Sequence, residues 1–264
     1  DHTLYHFGSG SNARYSDMNG FEPYVWRLIW YKLYWGAFAV LLAFASNLFW
    51  NRGLTGDFKS RWATAKYRLT PQIKIGMLTF GLVFICLGSF IFYNTNILNE
   101  YHRSDYWEKR SADYEKTYKK FKGIPKPKIT GVSGEVHLFP KEARVEFSGV
   151  YQMKNKTDSV IDTIHSNFNR RFPYSIYKWS RPYETVFTDS SYGWDMFVFD
   201  PSIQPGEEFS LEFSGEKMRT GFSNGGVDRT VVENGTMIWS GDLFPTFGYN
   251  SGRELSDKRT RKKH

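Results

Sequence analysis

The sequence predicts an α + β membrane protein: a fragment with two transmembrane α-helices, a helical stalk, and then an antiparallel β-sandwich or saddle-shaped sheet domain. Three observations carry this. Leu33–Trp50 and Ile75–Leu98 contain no charged residue. The segment between them is strongly basic. From residue 128 onward the apolar positions recur with the period of two that marks half-buried strands.

Residues 1–23 are rich in Gly, Ser and Asn and read as an outward-facing, extracytoplasmic loop. The first helix covers about 24–50. An uncharged apolar run of roughly 18 residues or more can cross a hydrocarbon core of ~30 Å. Trp26, Trp30, Tyr31, Tyr34 and Trp35 crowd one end of this helix, and Phe49 and Trp50 the other. Amphipathic rings favour the headgroup level, so these form an aromatic belt. A Trp-rich core helix of a soluble protein is the competing reading, and the long uncharged run weighs against it. Arg27 and Lys32 stand one turn inside the outer end, placed to snorkel.

The basic loop spans 51–73, and the second helix about 73–98. Ser60–Arg68 within the loop is amphipathic enough to lie on a membrane surface. Gly76, Gly81 and Gly88 give the second helix small positions for close contact with partner helices. Residues 99–124 mix Tyr101, Trp107, Tyr114, Tyr118 and Phe121 with charged residues, the pattern of a stalk helix. It stops at Gly123-Ile-Pro125-Lys-Pro127. The β domain then runs over 125–250. Strands are expected at Gly131–Leu138, Ala143–Lys154, Ser159–Phe168, Thr185–Thr188, Trp194–Phe199 and Glu207–Phe213. Asp200–Gly206 is expected as a turn. Asp228–Glu233 and Thr236–Ser240 flank Asn234-Gly235, a strong hairpin signal. The chain starts at Asp1 with no initiator Met, and residues 251–264 resemble the start of a following element; both ends read as cuts in a longer polypeptide.

Charge orients the hairpin. Arg52, Lys59, Arg61, Lys66, Arg68 and Lys74 face Asp57 alone, which concentrates most of the chain's net +8 between the two spans. Short loops rich in Lys and Arg stay cytoplasmic. The loop is therefore expected inside, with residues 1–23 and everything after residue 100 outside. The absence of cysteine from the outer parts suits a bacterial periplasm, with the hairpin in the inner membrane, at least as well as a secreted setting. The lipid bilayer is the partner this implies. Nucleic acid is not, because the cations cluster in a short loop between spans. Cys86 is the lone cysteine, so no intrachain disulfide can form. The Asn155-Lys-Thr157 and Asn234-Gly-Thr236 triplets match glycosylation sequons by chance.

No zinc-binding H-E-x-x-H, phosphate loop, nucleophile elbow or paired Cys motif occurs. His137 and His165 fall in expected strands and could be neighbours across the sheet, as structural histidines. No catalytic, cofactor or metal residue is identified in this chain.

Val136-His-Leu-Phe-Pro140, Ala143–Tyr151 with Glu146-Phe-Ser-Gly149, and Met153-Lys-Asn-Lys-Thr157 resemble the opening strands of zinc aminopeptidases of the aminopeptidase N family, which show a Pro…Gly…Asn-x-Thr rhythm there. Pro205-Gly-Glu207 with Glu212-Phe213 resembles a later strand of the same family. Gly221–Asn224, Val232–Thr236, Phe244–Tyr249 and Glu254–Asp257 are similar to a bacterial subgroup that fuses the peptidase to an ABC-type exporter permease. The resemblance covers about 120 residues. It implies that the two spans end a permease, that an ABC ATPase subunit and further permease helices are partners, and that a missing catalytic domain binds zinc and a peptide substrate. The β domain would cap the peptidase cleft. Many relatives carry an acidic pair after Phe-Pro; this chain has Phe244-Pro-Thr-Phe-Gly-Tyr249 instead, so no substrate contact carries over. The segment expected nearest the cleft holds Ser240, Asp242, Phe244 and Tyr249. The alternative is a permease segment with a non-catalytic binding or sensor β domain.

Overall fold

A computed structural model describes residues 2–10, 13–50 and 57–264. The first six residues of the basic loop, 51–56, lie outside the described residues. The chain divides into two compact units: residues 1–101 with Thr220–Asp228, and residues 102–219 with 229–264.

The first unit is a helical hairpin of α1 (Glu22–Phe49) and α3 (Pro71–Phe92), with α2 (Phe58–Arg68) between them. Pro23 opens α1 where a missing N–H costs nothing. Thr70 caps α3, its hydroxyl accepting from the Ile73 N–H, and Pro71 follows as the first helical residue. Arg68 at the end of α2 donates to the carbonyls of Asn47 (3.0 Å) and Trp50, so a guanidinium satisfies the last turn of α1. α3 continues into a π-helical turn, Tyr93–Leu98. Glu22–Phe49 and Pro71–Leu98 are both long and apolar enough to cross a membrane. Only 6% of the apolar window of the second is buried, whereas a soluble core helix would be mostly covered.

Aromatic stacking joins the two long helices. Tyr34 lies flat on Phe84, with centroids 4.5 Å apart, and Trp30 meets Phe90 at 4.3 Å. A Cβ at Gly76 would come within 2.8 Å of Phe44, and one at Gly88 within 3.1 Å of Tyr34. These two glycines thus seat α1 rings within the hairpin itself. An added Cβ at Gly81 would meet open space.

The second unit begins with α4 (Ser104–Tyr118) and holds two four-stranded antiparallel sheets. The strands are β1 (Lys128–Phe139), β2 (Arg144–Lys154), β3 (Ile161–Asn167), β4 (Tyr174–Trp179), β5 (Tyr183–Asp189), β6 (Trp194–Ile203), β7 (Glu208–Met218) and β8 (Thr246–Phe247). One sheet has the order β1-β2-β7-β4 and the other β5-β6-β3-β8. Period-two alternation sends Val145, Phe147, Tyr151 and Met153 of β2 inward. They meet Phe209, Leu211 and Phe213 of β7, Ile161 and Ile164 of β3, and Phe197 and Phe199 of β6 in one aromatic-rich core. The other face of the second sheet is covered too. Tyr114 and Tyr118 of α4 pack on the fully buried Trp194, so the expected stalk helix is a component of the β unit. The short helix α6 (Lys258–Lys263) ties back to α4 through Arg261–Glu115 (2.6 Å) and Lys263–Glu108 (3.4 Å).

Several expectations fail. No strand forms in 228–240. Thr236 Oγ1 bonds both the N–H and C=O of Val232, closing locally the turn a hairpin would close with a ladder. Val231 and Ile238 drop into the core as single anchors. The expected turn at Asp200 belongs to β6, which continues to Ile203. Proline cannot donate to a ladder, and Pro201 sits where the β3–β6 register shifts between Ile161 and Thr163. β4 and β8 were not expected. His137 and His165 lie in different sheets and are not neighbours.

Candidate functional site

The segment expected nearest a cleft is held rigidly in the β unit. Ser240 and Asp242 lie in a single helical turn, α5 (Ser240–Leu243), closed by the Phe244 N–H on the Ser240 carbonyl at 2.8 Å. Ser240 is exposed, and Asp242 accepts from Asn169 Nδ2 at 2.8 Å. Two core tyrosines strap the following chain: Tyr174 Oη donates to the Leu243 carbonyl (2.9 Å) and Tyr151 Oη to that of Pro245 (3.2 Å). Burial pushes the Tyr151 hydroxyl up to about 12 and that of Tyr174 well above the ordinary tyrosine range, so both remain donors. Phe244 then packs edge-on against Phe213 and Tyr151.

Tyr249 is separate from this group. Its ring stacks on Tyr114 at 5.4 Å, and the Arg253 guanidinium lies over the same Tyr114 ring. Burial first, and then the neighbouring Glu254 carboxylate, push its hydroxyl well above the ordinary tyrosine range. The structure therefore brings Asp242 and Phe244 onto one strapped turn and sends Tyr249 to the α4 side.

The surroundings hold little that could move protons. Asp195 is half-buried, and burial raises its carboxyl above the usual range, tempered by Thr188. His165 is buried against Phe121 and Trp194, and burial lowers its pKa. Its Nδ1, Asn167 Oδ1 and Trp194 Nε1 have no hydrogen-bond partner among the described residues. Among the described residues no three His, Cys, Asp or Glu side chains come together as a metal site. What the arrangement offers is a stiff face, with carbonyls already committed.

A second polar group, in the helical unit, was not expected from the sequence. His2, Arg27, Asn94, Thr95 and Asn224 are all buried there. His2 Nε2 lies 3.1 Å from Thr95 Oγ1, which donates to the Ile91 carbonyl at 2.8 Å. His2 Nδ1 accepts from the Leu4 N–H, and its Nε2 lies 3.2 Å from Asn96 Nδ2 as well as against Thr95. Asn224 Oδ1 accepts from the Thr3 N–H (2.9 Å), and its carbonyl accepts from Arg27. Arg27 thus turns inward instead of snorkelling. Asn99 Nδ2 donates to the Thr220 carbonyl at 2.8 Å. Gly221, at φ +54°, comes so close to Asn94 that a Cβ would strike its side-chain oxygen. The visible signal was Asn94-Thr-Asn96, three polar residues closing an otherwise apolar run. Here they mark the π-helical turn, a geometry found often at functional sites.

No protein-family profile matches the chain. No curated protein matches it either. Among solved structures, it is similar to a two-domain M1 zinc metallopeptidase variant bound to L-tryptophan, at 13% identity and a TM-score of 0.28, over 36% of this chain and 21% of that one. An M1 zinc metallopeptidase from Deinococcus radiodurans gives 11% identity and a TM-score of 0.28, also over 36% and 21%. A variant from the same organism gives 15% and 0.27, over 37% and 24%. The chain spans about a fifth of the length of the first two.

Proposed function

We propose that this chain anchors the N-terminal β domain of a zinc aminopeptidase to a bilayer, as part of a fusion with an ABC-type exporter permease. The β domain stands outside the cytoplasm of a bacterial cell and helps close a peptidase cleft. The observation that carries the reading is the placement of the family-like residues. Val136–Phe139, Arg144–Tyr151 and Glu212-Phe213 fall on β1, β2 and β7, neighbouring antiparallel strands, and Pro140 and Ala143 stand in the turn between the first two. Pro205-Gly206-Glu207 forms the turn into β7, where the Gly206 N–H reaches the carbonyl of Asn155, itself part of the resemblance. Residues far apart in sequence thus form one patch of one sheet. The low burial of Pro71–Leu98 supports the anchoring role, and the basic loop supports the orientation. Zinc and its ligands would belong to residues outside this chain, and no chemical step is assigned to the residues within it.

The test is aminopeptidase activity of the full-length membrane protein on aminoacyl anilides. Activity lost with a chelator and restored by zinc is expected. A folded, zinc-free and inactive protein would refute the peptidase and favour a binding or sensor domain. Reporter fusions after Gly56 and after Pro127 check orientation: cytoplasmic and extracytoplasmic signals respectively are expected, and the reverse defeats it.

A further inference from the structure

The residues ahead of α1, read from sequence as a solvent loop, run down the hairpin and back. His2 meets Thr95. Leu4 packs with Tyr31 and Ile91. Phe7 reaches lowest, its ring edge-on to Trp35 at 5.2 Å and near Phe38 at 6.1 Å. At Gly8, φ +68°, the chain reverses. The Gly8 carbonyl accepts from Lys32 Nζ at 2.9 Å. Gly10 then lies against Leu28, where an added Cβ would come within 2.9 Å. The α1 partners move from Phe38 to Lys32 to Leu28 as the segment climbs. Phe38 stands five residues inside the charge-free run, about 8 Å along the helix at 1.5 Å per residue.

We infer that residues 2–10 form a wedge seated in the bilayer, with Tyr5 and Phe7 against the acyl chains of the leaflet at that end of the hairpin. Three features fit a hydrocarbon neighbour. His2–Ala13 contains no Asp, Glu, Lys or Arg. Tyr5 and Phe7 are 74% and 67% exposed although the flanking Leu4 is buried and Ser9 and Gly10 are half-buried. Irregular backbone at membrane depth survives only when its polar groups are satisfied, and here they are largely satisfied from within. The N–H groups of Thr3, Leu4, Tyr5, His6 and Ser9 go to Asn224, His2, His2, Thr3 and His6 respectively. Lys32, expected to snorkel, instead caps the turn at Gly8.

The inference rests on the membrane-spanning reading of the hairpin, and the test separates the two. In a Cys86→Ala background, nitroxide labels go at Tyr5→Cys, Phe7→Cys, Arg14→Cys and Leu82→Cys in phosphatidylcholine–phosphatidylglycerol vesicles. Collision rates with oxygen and with a water-soluble nickel chelate are compared. Labels at 5, 7 and 82 should favour oxygen several-fold, and the label at 14 the chelate. A water-like signal at 5 and 7 beside a lipid-like one at 82 overturns the wedge and leaves the spans standing. Water-like signals at all four overturn both. Phe7→Cys removes ring contacts with α1, so Tyr5→Cys, whose ring meets His2 of the wedge itself, gives a second reading that does not depend on them.

Discussion

Gly149 and Gly215 make the packing of the β unit testable, because each lies under a phenylalanine on the neighbouring strand. Directly opposite pairs on β2 and β7 are Gly149 with Phe213 and Phe147 with Gly215. A Cβ at Gly149 would sit 2.7 Å from Cζ and 3.0 Å from Cε2 of Phe213. Comfortable carbon–carbon contact needs about 3.5–4.0 Å, so the ring must retreat by roughly 1 Å. It has nowhere to go: Phe213 is fully buried and walled by Tyr151 at 5.0 Å and Phe244 at 5.3 Å. Overpacking of a tight core costs about 1–3 kcal/mol. Reduced freedom of the unfolded chain returns roughly 0.4–1 kcal/mol for Gly→Ala. The net expectation for Gly149→Ala is a loss of about 1–2 kcal/mol, or roughly 2–8 °C in midpoint for a unit of this size. Gly215→Ala should lose more, because its Cβ meets Phe147 Cζ at 2.6 Å and also the backbone carbonyl of Pro173, which cannot step aside. The assay is thermal unfolding of the whole chain in detergent, followed by the near-ultraviolet dichroism of the aromatic core. Phe213→Leu is then added to Gly149→Ala. If the ring is the obstacle, the double variant is more stable than the sum of the single losses by about 1 kcal/mol or more. Additivity within about 0.5 kcal/mol would refute the ring-over-glycine account.

Asn155 is fully buried, with Nδ2 donating to the carbonyls of Ser159 (2.8 Å) and Ile203 (3.2 Å), so Asn155→Ala should cost about 2 kcal/mol in the same melt. The same burial keeps the sequon from a transferase, and mass spectrometry after expression in a glycosylating host should find Asn155 unmodified. Lys119 and then Arg261 hold the Glu115 carboxyl below the usual glutamate range. A depressed folded-state pKa stabilises above the unfolded value and is lost as pH falls through the folded one. Hydrogen-exchange protection of residues 258–263 should therefore persist at neutral pH and fade in acid, and Glu115→Gln should remove that dependence. Gly221→Ala should raise exchange across Thr220–Asp228, since its left-handed φ and the Asn94 side chain both oppose a Cβ; unchanged exchange would mean the segment is held elsewhere.

What was legible in the sequence was whatever repeats. Charge-free runs located both long helices to within a few residues, and alternation located β1, β2, β3, β5, β6 and β7. β4 was missed because Tyr174–Trp179 shows no clean alternation: its partner β7 and the ring stack of Tyr177 on Phe197 specify it. β8 is two residues long and exists through Ser166 and Asn167 of β3, some eighty positions earlier. The Asn234-Gly235 signal was genuine as turn chemistry but wrong as architecture, because the Thr236 hydroxyl competes for the backbone. Of the four residues expected at a cleft, the strapped turn around Asp242 and Phe244 holds together, and no pattern in the sequence marked the tyrosines that strap it.

The largest misreading concerns polarity itself. The stretch at 2–10 reads as part of a solvated loop, yet it and 220–224 close onto the hairpin through ring contacts and through backbone groups taken up by distant side chains. Thr3 meets Asn224 across 221 positions. Such contacts have no period and need no apolar side chain, so hydropathy counts them as water-facing. What identifies them is an accounting question, where each buried donor finds its acceptor. At this end of the hairpin the answers are Asn224, His2 and the Thr95 hydroxyl of the π-helical turn. The π geometry follows from the same accounting. Widening the last turn of the span puts Asn94 and Thr95 where an α-helical turn would present different residues. The Thr95 hydroxyl, still bonded to Ile91, can then also take the His2 ring. A span ending in Ala or Leu at those positions would have no acceptors to offer, and the segment ahead of α1 would have no reason to leave water.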